Sequence, residues 1–118
     1  MSQIINYGSC CIDHVFQIPH FVRAGETLSS TGYAIFPGGK GLNQSIAVAE
    51  AGCAVTHVGA VGEDGRWLAD LMTARGVNIT HLGITNTPTG QAILQIDPSG
   101  ENAIIILGGA NLAAHEHL

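Results

Sequence analysis

The sequence predicts an α/β fold: a largely parallel sheet with crossover helices, carrying a smaller, more exposed sheet as a lid. Three features point to it. Short apolar runs alternate with helical patterns in the order expected of a parallel sheet. A glycine-rich elbow, Pro37-Gly38-Gly39-Lys40-Gly41-Leu42-Asn43-Gln44, runs straight into the first helical stretch. Two runs rich in β-branched and aromatic residues stand ahead of that elbow, where a plain βαβ unit would have none.

In chain order, residues 3–7 carry Ile4 and Ile5, stop at Gly8-Ser9, and read as a buried first strand. Asp13 lies a few residues beyond, on the side where open parallel sheets hold ligands. A turn-capping role fits Asp13 equally well. Residues 14–18 and 28–36 read as two strands of a half-exposed sheet, separated by Pro19 and Arg23-Ala24-Gly25-Glu26. Exposed strands inserted beside a binding loop are how a lid is built.

The elbow lets the backbone adopt positive φ and approach a ligand closely. Leu42, Ile46, Ala47, Val48, Ala49 and Ala51 make the helix that follows, with Gly52 placed to stop it. The elbow therefore aims the free N–H groups of a helix start at its contents. Lys40 is the only lysine in the chain and stands between glycines, so it reads as facing a ligand. The Walker loop is excluded because Gly41 follows Lys40, and the dinucleotide fingerprint because Gly59, Gly62 and Gly65 are spaced by three. What remains, one ammonium, the Asn43 amide and bare backbone, suits a neutral, hydroxyl-rich ligand. A glycine turn needed only for tight strand-to-helix packing is the alternative.

Residues 55–61 read as a second buried strand. Residues 64–75 form an amphipathic helix with Trp67, Leu68, Leu71 and Met72 on one face and Gly76 just past its end. Residues 77–82 read as a third strand. Residues 89–96 and 102–107 make a hairpin across Asp97-Pro98-Ser99-Gly100, whose Pro and Gly fit a type I turn. The first arm belongs with the lid. Ile104-Ile105-Ile106-Leu107 is apolar throughout and is expected to be covered on both faces. Asn111 is placed to cap a helix that begins at Leu112.

Charged residues make up only 11% of the 118 and hydrophobic residues 46%, with a mean hydropathy of +0.29. That is apolar for a self-contained surface of this size, as if part of it lay against a partner or a larger core. A net charge of −5 with four scattered basic residues argues against nucleic acid as a partner. No stretch is long enough to span a membrane and no basic leader is present, so a cytoplasmic location is expected. Three cysteines, two of them adjacent, imply no disulfide framework. No metal site is expected either: there is no Cys-x-x-Cys, and His115-Glu116-His117 stands at the terminus.

Several landmarks, in this order along the whole chain, give it a resemblance. They are Gly8-Ser9-x-x-x-Asp13, Gly25-Glu26-Thr27, Gly38-Gly39-Lys40-Gly41-x-Asn43-Gln44, Val61-Gly62-x-Asp64, Thr89-Gly90 and Gly109-Ala110-Asn111. The chain resembles the N-terminal portion of the PfkB family of carbohydrate and nucleoside kinases, and within it the ribokinase branch. The resemblance implies a ribokinase-like fold, a partial three-layer α/β/α core with a small β-sheet lid built from about 14–36 and 89–107. It implies ATP-dependent phosphorylation of a pentose, D-ribose above others, with Mg²⁺ and a monovalent cation such as K⁺ as cofactors. Asp13, Gly39, Lys40, Gly41 and Asn43 would bind the sugar, Ala92 and Leu94 would lay apolar groups on it, and the lid would pair two subunits into a homodimer.

Two departures qualify this. The family's usual Asn two residues before the Asp is Cys11 here, and a thiol reads hydroxyls more weakly than an amide does. The family's ATP-binding segment and Gly-Ala-Gly-Asp motif, with the catalytic base, are absent from these 118 residues. No catalytic residue is therefore expected within them. The alternatives are a sugar-binding or dimerising module without activity, or a kinase for another sugar or nucleoside.

Overall fold

The structure is a computed structural model and describes residues 3–117. It holds two sheets. The core sheet has strand order β1-β4-β5, formed by β1 (Gln3–Tyr7), β4 (Ala54–Gly62) and β5 (Leu82–Thr85). Both of its pairings are parallel, with Gln3 opposite Ala54 and Gly59 opposite Leu82. The lid sheet has order β3-β2-β6-β7, formed by β2 (Cys11–Gln17), β3 (Gly32–Gly38), β6 (Gly90–Ile96) and β7 (Asn102–Leu107). Its central pair, β2 with β6, is parallel and both outer pairs are antiparallel.

Helices α1 (Lys40–Glu50) and α2 (Arg66–Ala74) cover one face of the core sheet. Leu42, Leu68 and Met72 are fully buried there against Val55, Val61 and Val77. Each contributes about 1.5–3 kcal/mol of burial. On the other face, a 3-10 segment (Gly109–His117) packs Ala110 and Ala114 against Ala60. The rest of that face borders a cavity of about 410 Å³ lined by the exposed Ile5 and the buried Thr56 and Val58 among others. The third layer of the expected architecture is thus only begun. No described helix is long and apolar enough to cross a membrane.

Most of the expected elements form, and the differences have physical reasons. The first strand is present, but as an edge strand with one face uncovered; Ile5 is 72% exposed, so it is not buried. The strand expected at 77–82 lies at Leu82–Thr85, because Asn78 makes only an isolated bridge to Thr56. On α2, Leu68 and Met72 face the core while Trp67 stays 38% exposed. The 104–107 run lies at the edge of the lid and is exposed, Ile105 by 66% and Ile106 by 71%, rather than covered on both faces. Asn111 caps nothing: its amide accepts from the Cys10 N–H at 3.0 Å and donates to the Cys10 carbonyl at 2.9 Å.

Candidate functional site

The lid sheet and the elbow meet over one cavity of about 330 Å³. Strand periodicity selects its floor, because alternate side chains share a face. Cys11 and Asp13 on β2, Ala92 and Leu94 on β6, and Ile104 and Ile106 on β7 all line it. The register explains their meeting: Asp13 pairs with Ala92, Ala92 with Ile106, and Leu94 with Ile104. The wall is the elbow, which contributes Gly39, Lys40 and Asn43, and Ser9 closes the end nearest the core.

Asp13 is therefore not in a turn. It stands within β2, half-buried, its carboxylate directly under Gly38, where an added Cβ would collide with it. Burial pushes its carboxyl above the usual carboxylate value, and the neighbouring His14 opposes this only in part. Lys40 opens α1, with Asn43 three residues on and so on the same side of the helix. Both are exposed toward the cavity, and neither side chain has a hydrogen-bond or ion-pair partner among the described residues. The cavity thus presents one carboxylate, one ammonium and one amide that form no hydrogen bond or ion pair among the described residues.

The elbow itself is held tightly. Gly39 takes φ 97°, and a Cβ there would come within 2.6 Å of the Ser9 carbonyl oxygen. That carbonyl accepts the Leu42 N–H at 2.9 Å, and the Gly39 carbonyl accepts the Asn43 N–H at 3.0 Å. The Leu42 N–H, one of the helix-start donors expected to face a ligand, is therefore spent inside the protein, while the Asn43 bond is the first ordinary turn of the helix. Gly41 does not line the cavity. Its Cα lies against the end of β1, where a Cβ would meet the Gly8 backbone at 2.5 Å.

Beneath the elbow is a buried polar cluster that sequence reasoning missed. Asn6 donates to the Gly41 carbonyl at 2.8 Å and to the Ser45 hydroxyl at 2.9 Å. Ser45 in turn meets His57 Nδ1 at 2.7 Å, and His57 Nε2 meets the Gly8 carbonyl at 3.1 Å. A carbonyl only accepts, so Nε2 carries the proton and Nδ1 accepts from Ser45. Burial holds this imidazole below its usual value, against the Gly8 bond, so it stays neutral and structural. Its only sequence signal was a polar residue inside a strand otherwise buried. Ser9, Ile104 and Ile106 were also missed as cavity residues, the isoleucines because an unbroken apolar run hides which ones share a face.

Cys11 lines the cavity and lies 3.6 Å from Asn111 Nδ2. Burial raises its thiol; the Asn111 contact opposes this and the Asp13 charge adds to it. It therefore faces the cavity as a neutral thiol, a weak hydrogen-bonding group.

A family model described as pfkB family carbohydrate kinase matches residues 1–118. The chain is 37% identical over 107 residues to a ribokinase of Haemophilus influenzae, covering 88% of this chain and 35% of that protein. It is also 37% identical over 114 residues to a ribokinase of Bacillus subtilis, covering 94% of this chain and 39% of that protein. The chain spans between a third and two fifths of the length of these curated relatives. Among solved structures, a ribokinase of Cryptococcus neoformans in complex with ADP superposes with a TM-score of 0.87 at 44% identity, covering 93% of this chain and 35% of that one. An Arabidopsis thaliana ribokinase complexed with ribose and ATP gives a TM-score of 0.82 at 33% identity, covering 92% and 36%. A nucleoside kinase of Methanocaldococcus jannaschii shares the fold, with a TM-score of 0.88 at 19% identity. The fold is ribokinase-like, and the chain belongs to the pfkB family of carbohydrate kinases.

Proposed function

We propose that these 118 residues are the sugar-binding and lid portion of an ATP-dependent pentose kinase that converts D-ribose to D-ribose 5-phosphate. One observation carries the reading: Asp13, Lys40 and Asn43, from a lid strand and a core helix, converge unpartnered on one small cavity. Its volume, about 330 Å³, is near the lower end for ligand sites and suits a single sugar. The Asp13 carboxylate accepts from two sugar hydroxyls, the Lys40 ammonium donates to a sugar oxygen, and the Asn43 amide does both. Ala92 and Leu94 lie against the apolar side of the ring. The relatives named ribokinase, one solved with ribose and ATP, support the choice of sugar.

Asp13 is a sugar ligand in this reading and not the base that takes the hydroxyl proton. The described residues contain no group of three His, Cys, Asp or Glu that could hold a metal ion. ATP, Mg²⁺ and the monovalent cation would be held mainly by protein outside these 118 residues, a reading supported by ribokinase relatives of which this chain spans little more than a third, one of them solved with ribose and ATP. The lid's outer face, with Tyr33, Ile35 and Ile105 exposed, would carry the homodimer contact.

Cys11 favours a second substrate. Where a hydroxyl reader would hold an amide, this site offers a weak group, so a sugar lacking one hydroxyl loses little. Calorimetric titration with ribose, 2-deoxyribose, fructose and adenosine, alongside an ATP-coupled assay of the complete protein, tests both readings. Ribose is expected to bind best, Asp13→Ala to abolish binding, and Cys11→Asn to strengthen ribose about tenfold, near 1.4 kcal/mol. Absence of binding and turnover with every sugar would overturn the proposal.

A further inference from the structure

The cavity exists only while the lid sheet keeps its angle to the core, and a line of side chains on the opposite face of the lid spans that junction. The Tyr33 hydroxyl lies 2.8 Å from His14 Nδ1, and His14 Nε2 lies 2.5 Å from Gln91 Oε1. The Gln91 amide donates to Asp64 Oδ2 at 3.2 Å and to the Thr89 carbonyl at 3.0 Å. Asp64 Oδ1 accepts from the Thr89 N–H at 2.9 Å and the Thr89 hydroxyl at 2.6 Å. Tyr33, His14 and Gln91 lie on β3, β2 and β6, three adjacent lid strands; Asp64 lies in the 3-10 turn (Glu63–Gly65) of the core. Donors and acceptors alternate consistently along the line. Gln91 Oε1 accepts from His14 Nε2–H, which leaves Nδ1 to accept from the Tyr33 hydroxyl.

We propose that Gln91 is a positioning residue: its amide ties the lid sheet to the core and so sets the gap between Ala92 and Leu94 on the lid and Lys40 and Asn43 on the elbow. The strand geometry makes the link direct. Gln91 and Ala92 are consecutive on β6 and point to opposite faces, so whatever fixes one places the other in the cavity. The amide is chemically apt, because it must accept from an imidazole and donate to a carboxylate at once, and neither an acid nor an apolar side chain does both. A second tie, Asn111 to the Cys10 backbone, sits where β2 leaves the core, and Cys11 pairs with Gly90 beside it. Together with the Thr89 bonds to Asp64 just ahead of β6, these ties at the bases of the paired central strands resist rotation of the sheet; the Gln91 tie is the one made by the side chain of a lid-strand residue. Its effect on sugar rests on the function proposed above, while the tie itself does not.

The test exchanges donor for acceptor. Residual dipolar couplings of backbone amides in β1 and β4 against β2 and β6 report the relative orientation of core and lid. The present chain is expected to fit one alignment tensor, and Gln91→Met and Gln91→Glu each to need two, the second because two carboxylates then face each other. Combining Asp64→Asn with Gln91→Glu restores the hydrogen bond to residue 64 with its direction reversed, while the donation to the Thr89 carbonyl stays lost as in Gln91→Glu alone. The new amide donates to the new carboxylate, its oxygen still accepts from Thr89, and the carboxylate still accepts from His14. That double variant is expected to return to one tensor and, with it, to recover an about tenfold loss of ribose affinity seen in Gln91→Glu. One tensor for Gln91→Met, or a double variant no closer to the parent than Gln91→Glu, overturns the tie. If no form binds ribose, the couplings still decide the tie, and the function alone fails.

Discussion

Replacing Thr89 by Val keeps the shape of a fully buried side chain and deletes only its hydroxyl. That hydroxyl donates to Asp64 Oδ1 at 2.6 Å and accepts the Gly62 N–H at 2.8 Å. Asp64 is exposed, so the charge-assisted bond is taken at the low end, about 1 kcal/mol. Gly62 is buried, and its stranded N–H costs about 2 kcal/mol. The added methyl returns about 0.8 kcal/mol, leaving a net loss of about 2 kcal/mol. Urea unfolding read by Trp67 reports it well, because this single tryptophan stands two residues past Gly65, which packs directly on the Thr89 side chain. The midpoint is expected to fall with the slope unchanged, and Thr89→Ser, which keeps the hydroxyl, to lose less. Acidity adds a second check. Burial pushes the Asp64 carboxyl up, but the hydrogen bonds from Thr89 and Gln91 outweigh it and hold the group below its usual 3.8. A depressed carboxyl stabilises the fold above that value, and the contribution is lost as pH falls through the lower folded value. The gap between the two proteins should therefore be full at neutral pH and narrow on acidification below 3.8 as the Asp64 share is lost, leaving the pH-independent cost of the stranded Gly62 N–H. A loss under about 0.5 kcal/mol, or a gap that widens in acid, would refute the reasoning.

Asp13 gives the opposite sign. Its folded carboxyl is raised, so its ionisation weakens the fold as pH climbs above the usual 3.8 toward the folded value. Asp13→Asn should flatten that decline in a pH series of melts while losing sugar binding in calorimetry. Gly38→Ala should fold, yet displace the Asp13 carboxylate beneath it and weaken sugar binding at least tenfold, read by the same titration. Thiol titration should find one fast cysteine, the exposed Cys53, and a slow Cys11 protected by ribose. Cys10, pushed up to about 12, should stay silent until the protein unfolds. Light scattering at rising concentration should show self-association through the exposed apolar face of β1 and the edge of the lid; a monomer at high concentration would contradict this.

Much of this protein was legible in the order of its residues, and for local reasons. The elbow needed glycine, the helix beyond it needed Gly52 at φ 91° to end, and the hairpin needed Asp97-Pro98-Ser99-Gly100; each is dictated by backbone sterics over a few residues. The lone lysine and the Gly38-Gly39-Lys40-Gly41-x-Asn43 pattern marked the cavity before any fold was known. Tertiary structure decided what depends on neighbours far along the chain. It turned Asp13 from a loop residue into a strand residue, since only pairing of β2 with β3 and β6 extends that strand back to Cys11. It split the Ile104–Leu107 run into a cavity face and an open face, because hydrophobicity alone does not encode register. It took Asn111 away from a helix cap and gave it to Cys10, 101 residues distant. It also seated His57 and Gln91 in networks that no periodicity announces, because hydrogen-bond partners are set by packing in space.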